Sequence, residues 1–94
     1  MDFMNEFIDF CKGKVVEYTN LNKNPKKRIN KNDVFVVWSC KTLQNAKALI
    51  STTNHDHMYY ECTFNGDKNE VYFDAYKKEV NIPYDYKGVK NNED

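Results

Sequence analysis

Ninety-four residues, 40% hydrophobic and 30% charged, fit one soluble domain and exclude a multidomain or fibrous chain. The 14 basic and 14 acidic side chains cancel, so no global field steers the chain to nucleic acid or to an anionic membrane, and charge-driven binding needs a local patch. Three widely spaced cysteines without a CxxC pair argue against a disulfide framework or a zinc knuckle and suit free thiols in a reducing cytosol.

The opening MDFMNEFIDF does not read as a signal peptide, and no apolar run approaches a membrane span. Steps of three and four (Phe3, Phe7, Phe10, Lys14 and Tyr18, flanked by Met4, Ile8, Cys11 and Val15) predict an amphipathic helix over residues 3–20. Gly13 weakens that helix and is expected where it lies closest to the sheet. Residues 21–32 are rich in Asn and Lys, contain Pro25 and lack apolar period, so they read as a solvated linker. Their basic residues Lys23, Lys26, Lys27, Arg28 and Lys31 are the one candidate phosphate-binding patch on a loop.

The run Asp33–Leu43, DVFVVWSCKTL, is the densest in β-branched and aromatic residues. It is expected to be the central strand, with Val34, Val36, Trp38 and Cys40 on one face and Trp38 in the core. Residues 43–50 suit either a helix or a hairpin turn at Gln44-Asn45 followed by a strand, and the tight connection favours the hairpin. A loop at 54–57, a strand over 58–64, an Asn65-Gly66 turn and a strand over 70–77 follow, with a frayed tail over 85–94. The predicted class is α+β, with an N-terminal amphipathic helix packed on a four-stranded antiparallel β-meander in a single domain. That order resembles the cystatin-like arrangement, which implies no activity.

The stretches WSCKTLQNAKAL and NGDK, the latter followed by YFDAYKK, resemble a small domain family of unknown function encoded by phages and prophages of Gram-positive bacteria, over roughly residues 15–82. The Asn- and Lys-rich linker and His55-Asp56-His57, where that family more often has a glycine turn, depart from its pattern. The resemblance implies a phage setting, hence the host cytoplasm. It carries over no catalytic residue.

No catalytic constellation emerges from the residues. His55-Asp56-His57 lacks a third and fourth ligand and reads as a solvated loop. Asp74 and Glu61 fall opposite one another across the last hairpin, where carboxylates are common without catalysis. Neither Ser39, Ser51 nor any cysteine has an identifiable base. No enzyme activity, cofactor or metal is expected. Lys41, Lys47, Lys77 and Lys78 with Tyr59, Tyr72 and Tyr76 are the candidate binding residues, expected on one open sheet face. Lysines interleaved with aromatics can hold single-stranded nucleic acid. With zero net charge, a protein interface, with a host or phage partner or in a homodimer through that face, is the favoured reading and nucleic acid the alternative.

Overall fold

The computed structural model describes residues 2–21 and 28–87. The order is α1 (Phe3–Leu21), a 3-10 turn (Lys31–Asp33), β1 (Val34–Thr42), β2 (Asn45–Thr52), β3 (Met58–Asn65) and β4 (Glu70–Lys77). The strands form one antiparallel sheet in the order β1-β2-β3-β4, with the helix on one face. The α+β meander is therefore as expected.

Asp2 caps α1 by accepting from the Asn5 amide at 2.9 Å, one of the four amides that a helix start leaves without partners. The buried face of α1 is the four-step row Phe7, Cys11, Val15 and Thr19. Beneath it lie Ala46, Ala48 and Ile50 of β2 and Tyr60 and Cys62 of β3. The small Ala46 and Ala48 let the helix approach the first half of the sheet closely, and α1 packs nearest to β1 and β2. Over β3 and β4 the contacts are longer-reaching aromatic ones: Phe3 and Phe7 meet Phe64 with ring centroids 5.0 and 6.2 Å apart, and Tyr18 meets Phe73 at 5.5 Å.

The segment entering β1 is tied down as far as it is described. The Asn20 side chain both donates to the Ile29 carbonyl and accepts from the Ile29 amide, each at 2.9 Å, which seats Ile29 in the core. Lys31 pairs with Asp9 of α1 at 2.9 Å, and Asn30 and Asp33 form a reciprocal capping box. Residues 28–33 are thus anchored to the helix rather than solvated throughout. Gly13 faces the Lys31 side chain, 3.6 Å from where a Cβ would sit, and does not mark the closest approach to the sheet.

Two expectations for β1 are overturned. In a meander the first strand is an edge, so β2 and β3 occupy the centre. The pairing of β1 with β2 also slips between Val36 and Trp38, leaving Val37 as a bulge. One extra residue exchanges the two faces of every residue after it. Val34 and Val36 therefore face the helix, but Trp38 and Cys40 turn to the opposite face and Ser39 and Lys41 take their places, opposite Ala48 and Ala46. Trp38 is 44% exposed and is not core.

The hairpin reading of residues 43–50 holds, with the loop one position earlier than expected. β1 runs through Thr42, Leu43 takes a positive φ of 55°, and β2 starts at Asn45. The second hairpin turns through residues 66–69, and its positive φ falls on Asn69 rather than on Gly66. Gly66 is needed for space: a Cβ there would come within 2.1 Å of the Gln44 carbonyl oxygen. The two hairpin tips are bonded to each other. The Gly66 amide donates to Asn45 Oδ1 at 3.0 Å, and Gln44 Nε2 donates to Asp67 Oδ1 at 3.0 Å.

Candidate functional site

The face of the sheet turned away from α1 has no layer over it among the described residues. Its composition follows from the register. Trp38, Leu49, Glu61 and Asp74 lie side by side across all four strands, and Cys40, Lys47, Thr63 and Tyr72 form the next row. Phe35 stands opposite Ser51, and Tyr59 opposite Tyr76. Phe35, Val37, Trp38, Tyr72 and Tyr76 are all exposed.

The polar groups on this face are mostly engaged with one another. Lys47 pairs with Glu61 at 3.5 Å, spanning β2 and β3. Tyr72 donates its hydroxyl to Glu70 Oε1, and this bond to a carboxylate raises the phenol pKa. The Lys78 ammonium sits 5.8 Å from the centre of the Tyr59 ring. Glu61 and Asp74 are direct cross-strand neighbours, as expected from the sequence. Two carboxylates opposite one another repel, and Lys47 relieves one of them.

Of the candidate binding residues, the structure brings Lys47, Tyr59, Tyr72 and Tyr76 together on this face, with Lys78 over Tyr59. Lys41 and Lys77 are not part of the group. They pair with Ala46 and Met58 on the helix side, and the Lys41 ammonium donates to the Leu43 carbonyl. In the basic patch, Lys23, Lys26 and Lys27 lie outside the described residues, Arg28 is exposed, and Lys31 is held by Asp9. Trp38, Phe35 and Leu49, which also lie on the face, are not among the candidate binding residues named from the sequence, which puts Phe35 on the side away from Val34 and Val36 and Trp38 in the core. The Leu49–Ile50 alternation signals Leu49, but no local signal announces the bulge that moves Trp38.

His55 and His57 are exposed and line a hollow of about 170 Å³ with Lys78 and Tyr59. A lysine ammonium beside them disfavours a cation. Among the described residues no three His, Cys, Asp or Glu side chains gather where they could hold a metal. Cys11 and Cys62, by contrast, form a buried thiol pair between α1 and β3. The Cys62 thiol beside it and burial together push the Cys11 pKa well up, and the Cys11 thiol in turn favours the Cys62 thiolate against the opposing effect of burial. The third thiol, Cys40, is exposed on the open face.

Residues 8–86 match the model of DUF6275, a family of unknown function. The chain belongs to this family. The match reaches further at both ends than the stretch that carried the resemblance, and takes in most of α1. No curated protein and no solved structure matches the chain. No helix among the described residues is long and apolar enough to cross a membrane. Placed on the fold of this DUF6275 member, the two stretches singled out in the sequence, WSCKTLQNAKAL and YFDAYKK, supply Trp38, Cys40, Lys47, Leu49, Tyr72, Asp74 and Tyr76. These are the residues that alternate onto the open face.

Proposed function

We propose that this protein is a small phage- or prophage-encoded accessory protein that works in the host cytoplasm by binding another protein, of host or phage, through the open face of its sheet. The phage setting rests on the sequence resemblance. The binding mode rests on one observation: Phe35, Trp38, Leu49, Tyr59, Tyr72 and Tyr76 form an aromatic and aliphatic field on a face that no other element among the described residues covers. Exposed apolar fields of this kind are interface material, and tryptophan and tyrosine are the residues that most often anchor interfaces. We read the protein as a binder rather than an enzyme. On this face Ser51 donates to the Met58 carbonyl at 3.1 Å, and Cys40 stands opposite Lys47 with no histidine or carboxylate base across from it.

Single-stranded nucleic acid is the second reading, favoured by Lys78 over Tyr59. The charge on the face weighs against it. Glu61, Asp74 and Glu70 share the face with Lys47 and Lys78, and Lys47 is already paired with Glu61. A field with this balance repels a phosphate backbone.

Tagged protein used as bait in infected host cells tests both readings. Tyr72→Glu with Tyr76→Glu is expected to abolish capture of the specific partner while leaving the far-ultraviolet circular dichroism unchanged. Capture that survives both substitutions removes the open face from the account. Binding of labelled oligonucleotides that weakens steeply with salt would replace the protein-binding reading with the nucleic-acid one.

A further inference from the structure

We propose that the free edge of β4 and the trench between β4 and α1 receive residues 80–86 of a second copy of this chain, in reciprocal exchange that makes a closed two-fold dimer. The receiving site has two parts. The first is hydrogen-bonding capacity. The Lys78 amide donates to the His57 carbonyl at 2.7 Å, and in an antiparallel pair this fixes which residues bond across the ladder. The even-numbered residues of β4 bond to β3, so the amides and carbonyls of Val71, Phe73, Ala75 and Lys77 point to the free edge.

The second part is an apolar trench on the helix side of that edge. Because α1 lies over the first half of the sheet, it leaves a gap along β4. A hollow of about 370 Å³ at one end is lined by Phe3, Phe7, Phe10, Phe64 and Val71, with Glu6 and Asn69 as its polar members. Another, of about 460 Å³, lies further along α1 against Tyr18, Leu21 and Phe73, with Lys14 and Glu17 beside them. Phe10, Tyr18 and Leu21 are left exposed by this gap.

The chain itself carries a segment of the right form. After β4, Val80, Ile82, Tyr84 and Tyr86 alternate with Glu79, Asn81, Pro83 and Asp85. All four apolar side chains are exposed in the single chain, Tyr84 by 84%. Residues spaced by two line one side of a strand. Four of them match the four outward-bonding positions of β4 over the same length, about 20 Å at 3.3 Å per residue. Pro83, which has no amide to give, falls on the alternate set. With the apolar set bonded to β4, Pro83 faces outward, where an edge strand tolerates it, and it blocks addition of yet another strand. The two tyrosines of each arm would each remove about 150 Å² from water. Both arms and both receiving trenches together give about 1,200 Å², the lower end of specific interfaces. The dimer leaves the open face free for the partner proposed above, and its test is independent of that reading.

Sedimentation equilibrium of the full chain from low to high micromolar concentration, with Cys40→Ser throughout, reads the assembly. A monomer–dimer equilibrium is expected. Ile82→Asp with Tyr84→Asp, at side chains exposed in the single chain, should weaken it at least tenfold, and Trp38→Ser should leave it unchanged. Mixing an Ala75→Cys chain with an Ile82→Cys chain under mild oxidation should give a disulfide between the two. A strict monomer, a dimer indifferent to the arm substitutions, a dimer lost with Trp38→Ser, or an arm that closes only on its own β4 in a doubly substituted chain would each overturn the proposal.

Discussion

Trp38 and Ile50 lie on the two paired strands of the chain's first hairpin, Ile50 opposite Val36 and its neighbour Leu49 opposite Trp38, yet their energetic roles differ because one faces water and the other the helix. Ile50 is fully buried, so Ile50→Ala should cost about 3–4 kcal/mol in transfer and cavity terms. Trp38, half exposed on the open face, should lose only about 1–2 kcal/mol as alanine, a fraction of what full burial of an aromatic returns. Urea midpoints of the two variants check this, and a larger loss at Trp38 would mean that its face is covered. Cys11 and Tyr60 make stability fall at alkaline pH. The hydrogen bond to Cys62 and burial raise the Cys11 value, and burial raises Tyr60 despite its 3.4 Å contact with Thr19. Both folded-state values stand above the unfolded 9.0 and 10.0. Their stabilisation is therefore intact below the unfolded values and is lost as pH climbs through the folded ones. Cys62, whose value is lowered, opposes the Cys11 effect, because its thiolate is favoured in the fold; the urea midpoint should therefore fall above about pH 10, where Tyr60 acts unopposed, and fall less steeply in Tyr60→Phe. In the folded protein at pH 7, an alkylating reagent should modify Cys40 alone, and all three thiols after unfolding.

At the scale of elements, the two hairpins depend on the contact between their tips. Gly66→Ala should cost about 2 kcal/mol, the usual penalty for forcing atoms into occupied space, because the atom it meets is the Gln44 backbone carbonyl. Asn45→Ala should loosen the same junction by removing the acceptor of the Gly66 amide. Gly13 is the contrasting case. An added Cβ makes only ordinary contact with Lys31, and the position is mid-helix, so Gly13→Ala should stabilise the protein by about 0.5–1 kcal/mol. Thermal unfolding of the two alanine variants should move in opposite directions. A stabilising Gly66→Ala would show that the tips do not meet.

For the whole molecule, the meander order decides where stability resides. β2 and β3 are bonded on both sides and carry the buried row Ala48, Ile50, Tyr60 and Cys62. Their amides should exchange with solvent most slowly, near the global unfolding limit. The second half of β1, beyond the bulge, should exchange faster despite its apolar sequence. Residues 80–86 should exchange at once at low concentration and gain protection as the chain dimerises. Slower exchange in β1 than in β2 would place the centre of the sheet wrongly.

The chain's periodicities by themselves determined the helix, the four strands and their meander, because each is a short-range property of spacing and turn chemistry. They also placed Tyr59, Tyr72 and Tyr76 on one face, since alternation within a strand is local. Which strand is central was not local: the strand richest in β-branched residues is an edge, because order in a sheet depends on what pairs with what. Trp38 left the core because a single bulged residue, Val37, flips the parity of all that follows, and a bulge arises from the fit of two strands rather than from the sequence of one. Lys41 left the binding group by that same slip. Lys77 left it because its register opposite Met58 puts it on the helix side. The trench along β4 exists because Ala46 and Ala48 draw the helix toward the opposite side of the sheet, a consequence of packing that no single segment contains.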